Sequence, residues 1–266
     1  LAGLNARGTT IVTEPHASRD HSESMMRHFG ASVSQDINAD GSHRVTLACE
    51  AELVARDVLV PGDPSSAAFV MVAALISADS DITIPAVGVN PLRTGLIITL
   101  QEMGGNIEIG NERIEGGEKI ADIRVRHSKL TGIAVPPERA ASMIDEYPVL
   151  SVAASVATGQ TVMQGVAELR VKETDRIKVM ADGLAMAGVT VTYDENSMTV
   201  TGGTIKGGVS IASQHDHRIA MSFLTLGMVA EESITVTGCE TINTSFPGFA
   251  DLINECGGAI TAPEAE

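Results

Sequence analysis

Ser65-Ser66-Ala67-Ala68-Phe69-Val70-Met71-Val72-Ala73-Ala74-Leu75-Ile76-Ser77 has no polar face when wound as a helix, and the chain-breaking Val60-Pro61-Gly62-Asp63-Pro64 stands just before it. A helix that is apolar all round belongs in the middle of a fold. Its uninterrupted apolar run, Ala67 to Ile76, falls well short of the ~20 residues a bilayer span needs, so the surroundings it calls for are protein rather than lipid.

The same opening recurs. Asp63-Pro-Ser-Ser-Ala, Asp145-Glu-Tyr-Pro and Asp216-His-Arg-Ile-Ala each set an aspartate before an apolar helix. A strand follows each time, at Asp81-Ile-Thr-Ile, Gln160-Thr-Val-Met and Ser233-Ile-Thr-Val, and then an amphipathic helix that stops at Gly104, Gly188 or Gly257. From aspartate to glycine the spacings are 41, 43 and 41 residues. Equal order at equal spacing predicts three copies of one unit, helix, strand, helix, strand, strand, with the three apolar helices clustered centrally.

Against this template the first sixty residues read as the second half of a unit. A strand at Thr9 to Thr13 leads to an amphipathic helix from about Asp20 to Phe29, stopped by Gly30, and then to a hairpin turning at Asn38-Ala39-Asp40-Gly41. No apolar helix precedes them, and the chain begins at Leu1. The expectation is a chain without its natural N-terminus: a fragment, a processed product or one half of a split protein. The α/β domain with the repeats is expected from about Gly62 onward, with Pro61-Gly62 as the crossover.

A formal net charge of −16 over 266 residues argues against a nonspecific partner in nucleic acid or an acidic membrane, and aromatic residues for base stacking are scarce. Any anion site must therefore concentrate its cations locally. Cys49, Cys239 and Cys256 are too widely spaced for a metal or redox pair, and their number suggests no disulfide framework. A reducing cytoplasm is the expected location.

One dense cluster of charge meets that requirement. Val171-Lys172-Glu173-Thr174-Asp175-Arg176 precedes the apolar-periodic Ile177, Met180, Leu184 and Ala187, which puts it on the first turn of a helix, where free N–H groups favour an anion. Lys172 and Arg176, four apart, can face one ligand. Asp145 and Glu146 head one buried helix and His217 and Arg218 another, so the repeat should bring these ends together. Taken singly each has a plainer reading: Asp145 as an N-cap, His217 as a hydrogen-bonded structural imidazole, Arg218 as a partner of Asp216 or another carboxylate, Arg19 as a solvated helix start.

The blocks Asp145-Glu-Tyr-Pro, Glu168-Leu-Arg-Val-Lys-Glu-Thr-Asp-Arg176, Asp216-His-Arg-Ile-Ala-Met and Thr244-Ser-Phe-Pro resemble the 5-enolpyruvylshikimate-3-phosphate synthase family. Val60-Pro-Gly-Asp-Pro-Ser-Ser66 and Asn90-Pro-Leu-Arg-Thr-Gly95 are similar to its bacterial class II form, the one associated with tolerance of glyphosate. The resemblance implies an α/β fold of repeated βαβαββ units around buried helices, an inside-out α/β barrel in two domains that close on substrate. Residues 1–61 would be the last unit of the N-terminal substrate domain and 62–266 the C-terminal enolpyruvyl transferase domain. Roughly the first 170 to 180 residues of such an enzyme would be missing, the greater part of one domain.

The reaction so implied moves the enolpyruvyl group of phosphoenolpyruvate to the 5-hydroxyl of shikimate 3-phosphate through a tetrahedral intermediate and releases phosphate, with no metal or organic cofactor. By resemblance Asp145 is the general base and Glu173 the acid that protonates the methylene carbon. Lys172, Arg176 and Arg218 would hold phosphoenolpyruvate; Arg19, Asp145 and Lys172 would contact shikimate 3-phosphate; His217 would support the site. Glu168 stands where many class I relatives have Asn, and Ser245 where they carry a phosphoenolpyruvate-binding Lys, which puts that contact in doubt. The missing N-terminal segment, in cis or in trans, becomes the expected partner, and the chain by itself is expected to be inactive. A non-catalytic folded or oligomerisation module is the alternative, and the enolpyruvyl transferase acting on UDP-N-acetylglucosamine a third.

Overall fold

The computed structural model describes residues 1–15, 17–48 and 52–262; Cys49 lies outside them. After a 3-10 turn at Ala2–Asn5, the N-terminal part holds β1 (Thr10–Glu14), α1 (His21–His28), β2 (Val33–Ile37) and β3 (His43–Leu47), with the strands antiparallel in the order β1-β3-β2. Their cover is thin, and Met26, Ala31 and Leu47 make a small core of their own.

The repeats follow in order. The first comprises α2 (Pro64–Ile76), β4 (Asp81–Gly88), α3 (Gly95–Glu102), β5 (Asn106–Glu115) and β6 (Glu118–Arg126). In the second are β7 (Ala134–Val135), α4 (Tyr147–Val156), β8 (Gln160–Gln164), α5 (Arg176–Met186), β9 (Thr190–Tyr193) and β10 (Ser197–Thr201). The third has β11 (Val209–Ala212), α6 (His217–Gly227), β12 (Ile234–Thr237), the short α7 (Ile242–Ser245) and α8 (Phe249–Glu255). Each buried helix links two parallel segments: β7 beside β8, β11 beside β12, and Gly62 bridged to Val87. This is the βαβ crossover that a parallel pair requires. An antiparallel hairpin then completes the first two units, giving sheets β4-β6-β5 and β7-β8-β10-β9. The third unit departs from the expected copy, because among the described residues β12 gains no hairpin and the sheet stops at β11-β12.

Helices α2, α4 and α6 pack on one another at the centre, and every residue of α2 from Ala67 to Ile76 is buried. Their apolar circumference has no other place to go. The capping differs along the series. Asp63 and Asp216 act as N-caps, accepting from the backbone N–H of Ser66 and of Arg218 at 2.9 Å. Asp145 does not: a 3-10 turn at Ile144–Glu146 leads into α4, whose first turn carries Pro148 and no side-chain cap. The amphipathic helices share one stop. Gly30, Gly104, Gly188 and Gly257 all have φ between +93° and +99°, and the N–H after each bonds to the carbonyl five residues earlier. That is the Schellman closure, whose left-handed residue glycine alone takes without strain.

Among the described residues no helix is long and apolar enough to cross a membrane. The N-terminal part meets the repeats at the candidate site: Asn90 Nδ2 donates to Asp20 Oδ1 at 2.7 Å, and His21 Nδ1 lies 2.9 Å from Glu118 Oε1.

Candidate active site

Of the segment from Lys172 to Arg176, only Arg176 stands in the first turn of a helix. A 3-10 turn at Ala167–Val171 carries the chain out of β8, residues 172–174 are bends, and Asp175 is the N-cap of α5, its carboxylate taking the N–H of Lys178 at 3.0 Å. The helix terminus is thus partly satisfied by its own cap, and side chains rather than backbone N–H groups make the charged surface. Arg176, the first helical residue, is only 1% exposed. Its Nε donates to Asp216 Oδ2 at 2.7 Å, Nη1 reaches Asp145 Oδ1 at 3.4 Å, and Nη2 donates to the Glu173 carboxylate.

Asp145 is the point on which the cations converge. Arg19, from the segment before α1, donates from Nη2 to Asp145 Oδ2 at 2.8 Å, and Lys172 Nζ lies 3.7 Å from Oδ1. Freed from capping by the 3-10 turn, the carboxylate faces these groups. Burial pushes its pKa up, but the Arg19 hydrogen bond and the nearby Arg218 and Lys172 outweigh that and hold it at about 2. It is ionised at any physiological pH.

A second carboxylate sits behind the first. Glu146 is 3% exposed, takes a hydrogen bond from Ser65 Oγ, and has Arg218 Nη1 at 3.7 Å and Arg93 Nη2 at 3.9 Å from its Oε1. Arg93 Nη2 also donates to Ser65 Oγ at 2.8 Å. Arg218 in turn donates from Nη1 to the main-chain carbonyl of Asp145 at 3.2 Å. Burial raises the Glu146 pKa against the opposing effect of the Ser65 bond, Arg218 and Arg93.

The structure therefore brings Arg19, Asp145, Lys172, Glu173, Arg176 and Arg218 to one place. His217 lies at the rim of this cluster, near enough to Arg218, Glu173 and Arg176 to feel their charges, but makes no side-chain bond to it. It lines a recess of about 30 Å³ with Asp63, Ser65, Ser66, Arg218 and Ser245, and it has no hydrogen-bond partner among the described residues. Burial, then the Arg218 cation, lower its pKa and favour the neutral imidazole. Sequence reasoning missed Arg93 as a site residue. Its segment, Asn90-Pro91-Leu92-Arg93, is legible in the sequence only as part of a motif similar to the class II form; in the structure it is a 3-10 turn that Asn90 Oδ1 caps by accepting from Leu92 N–H at 2.9 Å. That this turn aims an arginine inward depends on Ser65 and Glu146, which are remote in sequence.

Every cation here is matched by an internal carboxylate: Arg19 by Asp145, Lys172 by Glu168 and Asp145, Arg176 by Asp216 and Glu173, Arg218 by Glu146. An anionic ligand entering the cluster exchanges with carboxylates that are already in place. Bidentate arginines beside a lysine suit phosphate and carboxylate groups together.

Repeated βαβαββ units around buried helices, with a cationic cluster at one end of the helix bundle, define an enolpyruvyl transferase fold. At 16% identity the enolpyruvyl transferase NikO from Streptomyces tendae shares that fold with a TM-score of 0.74, over 98% of this chain and 59% of that one. Residues 1–253 match the family model for EPSP synthase (3-phosphoshikimate 1-carboxyvinyltransferase), and the chain belongs to that family. It is 54% identical over 260 residues to the 3-phosphoshikimate 1-carboxyvinyltransferase of Granulibacter bethesdensis, covering 97% of this chain and 57% of that protein. The enzyme of the same name from Cereibacter sphaeroides is 54% identical over 263 residues, 98% of this chain and 59% of its own length. The EPSP synthase of Acinetobacter baumannii superposes with a TM-score of 0.93 at 46% identity, over 98% of this chain and 59% of that chain. The chain thus spans under two thirds of the length of these relatives.

Proposed function

We propose that this chain supplies the C-terminal part of a cytoplasmic enzyme that transfers the enolpyruvyl group of phosphoenolpyruvate to the 5-hydroxyl of shikimate 3-phosphate and releases phosphate. The carrying observation is the convergence of Arg19, Lys172 and Arg176 on Asp145, with Arg218 bonded to the same residue's carbonyl. Two substrates that bear phosphate and carboxylate groups need such a cation set in a protein whose net charge is −16.

In this reading residues 1–61 belong to the substrate domain and 62–266 to the enolpyruvyl transferase domain, a division supported by the separate small core of Met26, Ala31 and Leu47. Arg19 and Lys172 bind shikimate 3-phosphate; Lys172, Arg176 and Arg218 bind phosphoenolpyruvate, with His217 in support. As the substrates draw these cations away from Asp145, its basicity rises from the depressed value of the unliganded site. It then takes the proton of the 5-hydroxyl as that oxygen attacks C2 of phosphoenolpyruvate. Glu173, half-exposed beside Arg176, protonates the methylene carbon, and recovers that proton when phosphate is expelled from the tetrahedral intermediate.

The chain's partner is an N-terminal segment of the kind the relatives carry, in cis or in trans. Support comes from a groove of about 1160 Å³ beside β12, between the end of α2, α8 and residues 256–262, lined by Val70, Ala74, Ile234, Val236, Phe249 and Ile260 among others. It lies at the edge where, among the described residues, the third unit has no counterpart of the strands that complete the other two. Phosphate release is to be measured from both substrates with this chain alone and with the N-terminal segment of a class II relative added. Activity on addition bears the proposal out; a folded but inert mixture leaves a non-catalytic module as the better account.

A further inference from the structure

Glu146 is charged by type and almost wholly enclosed, and it sits behind Asp145 without a part in the chemistry assigned to Asp145 and Glu173. It has no cap to make: no backbone N–H of α4 bonds to its side chain. What it does touch is a short relay. Arg93 donates to Ser65 Oγ at 2.8 Å, and Ser65 donates onward to Glu146 Oε1, so the hydroxyl is used in both directions. The same Oε1 lies 3.7 Å from Arg218 Nη1, the nitrogen that also reaches the Asp145 carbonyl at 3.2 Å. Glu146 Oε2 and Arg93 Nε are buried with no partner among the described residues. An enclosed carboxylate with one oxygen unused is a costly group to retain for stability alone, since an apolar replacement removes the desolvation penalty.

The guanidinium it faces borders an open recess on the other side. Arg218 lines the recess that also holds His217, Ser66 and Ser245, and its remaining donors are not consumed by other carboxylates among the described residues. Packing alone leaves a long side chain at a cavity wall with several rotamers, whereas a fixed anion behind it selects one.

We propose that Glu146 is a positioning residue: held by Ser65 and Arg93, it fixes the Arg218 guanidinium against the Asp145 carbonyl, so that the free donors of Arg218 face the anion site. The inference rests on the reading of Arg218 as an anion-binding residue, and it adds to that reading a device, Arg93–Ser65–Glu146, that acts only through Arg218. Glu146 does not touch substrate in this scheme.

A double-mutant cycle with two readouts tests it. On this chain alone, inorganic phosphate binding is followed by NMR for the unaltered protein, Glu146→Gln, Arg218→Ala and the pair; with a complementing N-terminal segment, KM for each substrate and kcat are measured for the same set. Glu146→Gln keeps the shape and an acceptor for Ser65. It is expected to weaken phosphate binding and to raise the KM for phosphoenolpyruvate roughly ten-fold, the scale of one misplaced charge-assisted hydrogen bond, with the KM for shikimate 3-phosphate little changed. In the Arg218→Ala background the same substitution is expected to add nothing, because the two act as one unit. Equal effects of Glu146→Gln with and without Arg218 overturn the proposal. So does a crystal structure of Glu146→Gln with the Arg218 guanidinium unmoved. Should complementation give no turnover while Glu146→Gln still displaces Arg218, the proposed reaction falls and the positioning role stands.

Discussion

Arg176 and Asp216 form a fully buried ion pair, Nε to Oδ2 at 2.7 Å, and the same aspartate caps α6 through the N–H groups of Arg218 and Ile219. One carboxylate therefore orients an arginine of the candidate site and starts the central helix that carries another. Asp216→Asn keeps an oxygen for the cap and removes the charge. It is expected to cost about 3 kcal/mol in urea-induced unfolding, the lower end for an uncompensated buried charge because Glu173 and Asp145 still face Arg176. Asp216→Ala should cost ~1 kcal/mol more through the lost cap. A loss below that of an exposed pair for either variant would contradict the assignment.

Asp145 predicts an acid limb of stability. Its pKa falls on folding from 3.8 to about 2, so its contribution is fully present above the unfolded value and is lost as the pH drops through the folded one. Asp145→Asn is expected to lower the unfolding free energy by about 2 kcal/mol at pH 6, the equivalent of that shift. The difference between variant and unaltered protein should shrink below about pH 4 and vanish near pH 2. Unfolding curves across that range decide it, and a gap that persists unchanged at pH 2 assigns the effect to shape rather than charge.

The end of α4 is held by a close backbone approach. A Cβ at Gly202 would lie 1.8 Å from the Ala157 carbonyl oxygen, whereas one at the adjacent Gly203 would meet nothing within 4 Å. Gly202→Ala is expected to destabilise by about 3 kcal/mol or more, with the backbone forced apart at the core of the second unit. Gly203→Ala should be neutral, or stabilising by ~0.5 kcal/mol through the unfolded chain. Thermal melts of the two variants side by side separate steric clash from any general sensitivity of the turn.

Much of the fold was readable because a few residue types admit one solution. Helix α2 is apolar on every face and is buried on every face, and the glycines at 30, 104, 188 and 257 mark helix ends because the left-handed closure there excludes other residues. The parallel pairing of β7 with β8 was harder to foresee, since β7 is two residues long and bears no strand signal of its own. At the site, sequence placed Asp145 at the head of a helix, but whether it caps or faces outward turns on the 3-10 geometry of Ile144–Glu146, which tertiary packing sets. The same holds for Lys172 and Glu173, separated from α5 by Asp175. Arg93 and Ser65 became visible only when three segments distant in sequence met around Glu146.

Exchange of internal for external anions makes a final prediction. Lys172 is held by Glu168, four residues earlier, and by Asp145 at 3.7 Å, and of these Glu168 is 60% exposed. An exposed pair of this kind holds its lysine weakly, so removing Glu168 releases the ammonium without disturbing the buried groups. Glu168→Gln is expected to tighten inorganic phosphate binding about two-fold at low ionic strength, and the gain should fade in high salt as the freed charge is screened. Lys172→Met should weaken binding and flatten its dependence on ionic strength, because one cation fewer faces the anion. Glu173 is the informative contrast: it bonds Arg176, whose other partners are the buried Asp216 and Asp145, so Glu173→Gln leaves that guanidinium in place and should change phosphate affinity less than Lys172→Met does. Phosphate titrations at two salt concentrations for the three variants check this ordering. Weaker binding in Glu168→Gln would mean that the glutamate holds Lys172 in its binding position rather than competing with the ligand for it.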